Sequence, residues 1–136
     1  MPTAPTTLVT GVDFVTVPTQ DLAAAREFYA DVLGLPCSAV YRRGTEPGIG
    51  AEYETGNLTL SILDAAAVGM EFAPLRSPIA LRVDDVEAAR TELASRGVTF
   101  LADTMDSGVC HMAHFKDPDG NVLMLHHRYA PRTPLG

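Results

Sequence analysis

The sequence repeats itself. Asp21-Leu22-Ala23-Ala24-Ala25-Arg26 returns 64 residues later as Asp85-Val86-Glu87-Ala88-Ala89-Arg90, and the same step carries Phe14 onto Pro78 and Gly56-Asn57 onto Gly120-Asn121. Two alanine-rich helices would resemble each other through composition alone; the matched turn is what composition does not supply. A chain of 136 residues therefore holds two copies of one unit with short ends.

Each copy reads as strand, helix and three strands. Val12 to Val17 alternate and are β-branched enough for a strand. Thr19-Gln20-Asp21 then offers an N-cap, and Leu22, Ala25, Phe28, Tyr29, Val32 and Leu33 fall on one helical face, closed by Gly34. Strands are expected around Ala39–Arg43, Ala51–Thr55 and Leu58–Leu63, the last two joined at Gly56-Asn57. In the second copy Ile79–Val83 is a strand. Asp84 or Asp85 caps a helix with Val86, Ala89, Leu93 and Ala94 on its apolar face, and Gly97 closes it. Val98–Leu101 is read as the next strand, and strands near Val109–Phe115 and Val122–His127 flank the turn Asp117-Pro118-Asp119-Gly120. Asp64 to Ser77 reads as a linking loop. Pro2, Pro5, Pro131 and Pro134 mark tails over 1–10 and 129–136.

Asp21-Leu22, Phe28-Tyr29 and Val32-Leu33-Gly34-Leu35 in the first copy, with Val83-Asp84-Asp85-Val86 and Phe115-Lys116-Asp117-Pro118-Asp119-Gly120-Asn121 in the second, resemble the vicinal oxygen chelate superfamily. This is also called the glyoxalase/bleomycin-resistance/extradiol-dioxygenase superfamily. The resemblance spans residues 12–128. It implies an α+β fold of two tandem βαβββ modules, about 11–64 and 78–128, forming a curled mixed sheet around a cavity in one domain over 11–128. It also implies a homodimer. A module alone leaves one sheet face wet; a second supplies the missing wall, and the space between becomes a pocket.

Family enzymes hold a divalent metal with His or Glu at four strand positions, two per module. By the resemblance these fall on Phe14 and Pro78, on Met124, and on Ser61 or Leu60. None is an ordinary ligand for a divalent metal, since phenylalanine and proline offer no donor and a thioether suits hard cations poorly. The expectation is a protein without the family's metal centre and with no cofactor; a divalent metal would need a non-standard site. Family dioxygenase, lyase and epimerase chemistry, which runs through that metal, is disfavoured.

His111, His114, His126 and His127 all lie on the last two expected strands. Alternation puts His111 and His114 on opposite faces, and likewise His126 and His127. Met124 holds a pocket-facing position, so His126 shares its face. If Phe115 pairs with Val122, His111 lies opposite His126; a shift of one brings Cys110 opposite His126 and puts His114 on that face. Such a pair has the chemistry of a general acid and base, and each histidine has a plainer role as a hydrogen-bonded sheet residue at a rim or dimer interface. Parity adds Thr16 to the Phe14 face, and Ala80 and Arg82 to the Pro78 face. Phe14 and Met124 would form an apolar, polarisable floor for an aromatic ligand, and Arg82 would meet an acidic one. Cys110 reads as a buried inert thiol.

Composition narrows the partners. Ten Lys+Arg against seventeen Asp+Glu give a formal charge of −7, so neither nucleic-acid phosphates nor an anionic membrane meets a basic field. No run reaches the ~18–20 apolar residues of a membrane helix, and no signal peptide is evident; the cytoplasm is expected. The functional expectation is binding of a small, partly aromatic organic molecule in the inter-module cavity. An enzyme using His111, His114 or His126, a metalloenzyme with relocated ligands, and a non-catalytic interaction protein stand as alternatives.

Overall fold

Two aspartates start the two helices. Asp21 lies in extended backbone, and its Oδ1 accepts from the Ala24 N–H at 3.1 Å; Asp85 does the same for Ala88 at 3.0 Å. Each cap satisfies an amide that the first helical turn leaves without an internal partner. The structure, a computed structural model, describes residues 7–42, 44 and 48–132; Pro2, Pro5, Arg43 and Pro134 lie outside them.

The first helix, α1 (Leu22–Glu27), widens into one π turn over Phe28–Val32, with the Leu33 amide donating to the Phe28 carbonyl at 2.9 Å. Gly34 follows at φ 73°, a left-handed conformation that glycine adopts without a Cβ clash. The strands of this module are β1 (Phe14–Thr19), β2 (Cys37–Tyr41), β3 (Gly50–Glu54) and β4 (Thr59–Asp64), in the order β1-β4-β3-β2. The second module has β5 (Ile79–Arg82), α2 (Val86–Ser95), β6 (Met105–Asp106), β7 (Cys110–Lys116) and β8 (Val122–Arg128), in the order β5-β8-β7-β6. In both sheets the first strand runs parallel to the last and the other pairs are antiparallel.

Val98–Leu101 is not a strand, a correction to the expectation above. Phe100 makes one isolated bridge to Phe115, and Leu101 donates to the His114 carbonyl. The chain then leaves the sheet and returns as β6, paired to His111 and Met112. A tight turn explains this. Asp106 Oδ1 accepts from the Gly108 amide at 2.8 Å, and Ser107 Oγ accepts from Cys110 at 3.0 Å, so Met105–Asp106 takes the ladder beside β7. Phe100 needs only its one bridge to bury its ring against Phe115, 5.4 Å between centroids, under the Arg90 guanidinium.

One core joins the modules. Val17, Ala51, Tyr53, Leu60 and Ile62 of the first sheet and Ala113, Phe115, Leu123 and Leu125 of the second are buried in a single cluster with Tyr29, Phe28 and Leu93 from the helices. Each buried valine, leucine, isoleucine or phenylalanine among them contributes ~1.5–3 kcal/mol by leaving water. The helices thus lie between two separate four-stranded sheets, and each sheet turns its other face outward. The two sheets are not joined to one another through backbone pairing.

Candidate functional site

Register assigns every side chain to a face, because cross-strand partners point the same way. On the first sheet's outer face one row reads Ala39, Glu52, Ser61 and Thr16, and the next carries Glu54, Thr59 and Phe14. Ser61 is partly exposed while Leu60 is buried in the core, so Ser61 is the outward residue of that pair. Phe14 is 56% exposed. Glu54 accepts from Ser38 and Thr59 hydroxyls, each at 2.6 Å, which hold its carboxyl below the usual range. Glu52 is bonded by the Tyr41 hydroxyl.

On the second sheet's outer face one row reads Arg82, His126, Met112 and Met105, and the next reads Ala80, Met124 and His114. Lys116 opposite Val122, and Arg128 opposite Cys110, continue that face. The register puts Thr16 on the Phe14 face with Ser61, and puts Ala80 and Arg82 on one face with Met124 and His126. Within one chain the two groups lie on different sheets that face apart, so Phe14 and Met124 form no common floor.

The hairpin register differs from both alternatives weighed above. Lys116 pairs with Val122, which puts Met112 opposite His126, His111 opposite His127 and His114 opposite Met124. His114 and His126 share the outer face as diagonal neighbours, with roughly 7–8 Å typical between such positions. His111 is elsewhere. Its Nε2 lies 3.4 Å from Asp106 Oδ2, and its ring stacks on Tyr129 with centroids 4.7 Å apart. Asp106 also accepts from Tyr129 Oη at 2.7 Å, and its carboxyl is held below the usual range by the Gly108 amide first, then by Tyr129. His127 Nδ1 is 3.1 Å from the Val83 carbonyl. Cys110 is buried as expected.

The Asp117-Pro118-Asp119-Gly120-Asn121 turn, the most distinctive motif of the sequence, is a clasp between modules. Asp117 Oδ1 accepts from the amides of Asp119 and Asn121, and its Oδ2 accepts from Tyr29 Oη and Asn121 Nδ2, both at 2.8 Å. Asn121 Nδ2 also reaches the Pro18 carbonyl, and Asn121 Oδ1 accepts from the Leu75 amide. Asp119 takes the Thr19 hydroxyl at 2.6 Å and the Gln20 amide at 2.8 Å. Burial, and then the Asp117 charge, push the Tyr29 phenol far up, so it stays a donor.

At the other junction of the modules lies a cleft of about 370 Å³, most of whose lining sequence reasoning did not foresee. It is lined by Leu33, Leu35, Leu58, Ile79, Leu81 and Leu93, among others, and it shares Leu60, Ala80 and Arg82 with the positions singled out from sequence. Its one signal was the apolar Leu33–Leu35 stretch past the helix end. Among the described residues no three His, Cys, Asp or Glu side chains converge as a metal site, and no helix is long and apolar enough to cross a membrane.

Comparison with known proteins adds family context. Residues 11–125 match the Glyoxalase/Bleomycin resistance protein/Dioxygenase superfamily. The crystal structure of TnmS3, an antibiotic binding protein from Streptomyces sp. CB03234, is similar at TM-score 0.74 and 25% identity, over 90% of this chain and 99% of that one. A glyoxalase/bleomycin resistance protein from the same organism is 28% identical at TM-score 0.69, over 87% of this chain and 100% of that one. Lactoylglutathione lyase from Agrobacterium tumefaciens shares the fold at TM-score 0.71 and 19% identity, over 87% and 93%. Among curated proteins none matches.

Proposed function

This chain belongs to the glyoxalase/bleomycin resistance protein/dioxygenase superfamily, and from that premise we propose that it binds a small, partly aromatic organic molecule without the family's metal. The observation that carries the reading is the chemistry of the outer faces. By the resemblance, the family's metal-ligand positions fall on Phe14, on Ser61 or Leu60, on Met124 and on Pro78, which lies just ahead of β5. That donor set does not fit a divalent cation. It fits an aromatic ligand: the Phe14 ring and the Met112 and Met124 thioethers stack and pack, while Thr16, Ser61, His114, His126 and Arg82 supply hydrogen bonds and one fixed charge.

The two halves of that set meet only across two copies of the chain. Three features support a homodimer in which the first module of one copy faces the second module of its partner. The outer face of the first sheet carries Glu52 and Glu54, and that of the second carries Arg82, Lys116, Arg128 and the two histidines, so the faces are complementary in charge. Among the described residues β1 and β5 are edge strands with no strand paired on their outer side. Leu8, Val9 and Val12, leading into β1, are 90%, 76% and 67% exposed. A two-fold arrangement makes two such sites at once. Exposed Cys37 and buried Cys110 are both free thiols, in keeping with the reducing cytoplasm.

The similarity to an antibiotic binding protein guides the test. In a thermal-shift screen over antibiotics and small aromatic metabolites, with EDTA or with zinc, iron or manganese, at least one compound raises Tm equally in EDTA. Stoichiometric metal in protein purified without a His-tag, lost on His126→Ala, would overturn the metal-free reading. A second reading, proton transfer by His114 and His126, rests on their shared face; it requires a turnover whose pH profile is bell-shaped and collapses in either His→Ala variant.

A further inference from the structure

We infer that the cleft between the modules is a second small-molecule site, which meets the second sheet's outer face only at Ala80 and Arg82, for a compact molecule of one or two rings bearing a single anionic or acceptor group. It does not rest on the function proposed above. The internal repeat supplies the reasoning. The modules meet about an approximate two-fold relation: Val32 and Arg96 occupy equivalent places and touch, with Arg96 Nη1 donating to the Val32 carbonyl at 2.8 Å. Leu33 and Leu35 lie beside Glu92 and Leu93 on one side, just as Gly97 and Thr99 lie beside Phe28 on the other.

Under the 64-residue step each wall of the cleft has a counterpart. Leu93 corresponds to Tyr29, Val83 to Thr19, and Asn57 to Asn121. At the counterpart junction polar groups clasp the modules, beside a groove of about 410 Å³ lined by Phe28, Thr99, Lys116 and Asp117: Tyr29 bonds to Asp117, Thr19 to Asp119, and Asn121 to Pro18. On the cleft side those hydroxyls are replaced by leucine and valine. The turn that would have to reach across bonds within itself, Thr55 Oγ1 donating to the Leu58 carbonyl at 2.6 Å and lying 3.2 Å from Asn57 Oδ1. The clasp is thus missing on this side, and the cleft of about 370 Å³ is walled mainly by leucine, isoleucine and valine where the far side has Lys116 and Asp117.

That volume lies in the ordinary range for small-molecule pockets, whose walls are apolar with a few polar groups to orient the ligand. Thr55, Asn57 and Arg82 are the orienting groups here. Glu92 is held by Arg96 at 3.0 Å, and among the described residues no carboxylate lies within ion-pair distance of Arg82. This favours an anionic substituent on the ligand. Because the walls come from both modules, an occupant bridges them as the clasp does on the far side.

The probe is 1-naphthoate, titrated into the full chain carrying 13C-labelled leucine, valine and methionine methyls. Saturable shifts at Leu33, Leu58, Leu81 and Leu93 are expected. Ala89→Phe, which puts a ring into the cleft, weakens binding at least tenfold. Leu58→Trp fills the space from the opposite wall and gives the same loss should the first variant not fold. Arg82→Gln weakens naphthoate but leaves 1-naphthalenemethanol unchanged. Shifts confined to Met112 and Met124 would place the probe on the outer face and overturn the inference. So would the absence of shifts up to millimolar probe, or full affinity in both filled variants.

Discussion

Asp117 shows how much of this fold a single side chain carries. Both its oxygens are used, by two backbone amides, the Tyr29 hydroxyl and the Asn121 amide. Asp117→Ala leaves these donors without a partner in a buried place, and the expected loss is about 3 kcal/mol or more by urea denaturation. Tyr29→Phe removes one bond and costs about 1–2 kcal/mol. The Tyr29 phenol is raised above its ordinary value of 10.0, chiefly by burial. Its contribution is therefore complete below pH ~10 and declines as pH rises further, because the unfolded chain ionises first. Wild type should lose stability relative to Tyr29→Phe across that alkaline range; parallel curves for the two proteins would contradict the assignment. The motif was visible in the sequence, but its role was not. A turn signature gives backbone shape, and only the meeting of modules shows Asp117 and Asp119 reaching Tyr29, Thr19 and Gln20.

At the scale of elements, the helices and most strands were legible because their signals are local. Asp21 and Asp85 cap where they were expected to, and Gly34 ends the first helix after a π turn. Pairing was less legible. Period-two patterning assigns faces correctly, yet it does not fix which residue sits opposite which, and the β7–β8 ladder slid one place from one expected register. Val98–Leu101 failed for a related reason. Its apolar run satisfies burial through Val98 and Phe100 without a ladder, while the Asp106–Gly108 turn decides which residues join the ladder. Close packing between strands offers a sharper check. A Cβ at Gly50 would lie 2.9 Å from the Ile62 carbonyl oxygen, so Gly50→Ala must push β3 from β4. A loss of about 1–3 kcal/mol is expected, with amide exchange rising in Ala51–Glu54 rather than in β7.

For the whole molecule, the sequence supplied two modules but not their relation. The repeat says that two sheets each need a wall; it does not say whether that wall comes from the same chain. The shared core answers this, since both sheets spend their apolar faces on the same helices and leave Glu52, Glu54, Arg82 and His126 outside. If opposite charge joins two copies, Glu52→Lys weakens the dimer at low salt by roughly tenfold in sedimentation equilibrium, and added salt narrows the gap from wild type. Unchanged association would argue against the charge-matched faces. The central claim is metal-free binding, and calorimetric titration of EDTA-treated protein with the compound giving the largest thermal shift tests it most directly. The account predicts one ligand per chain with the same affinity before and after zinc is restored; binding that appears only with the metal would contradict it.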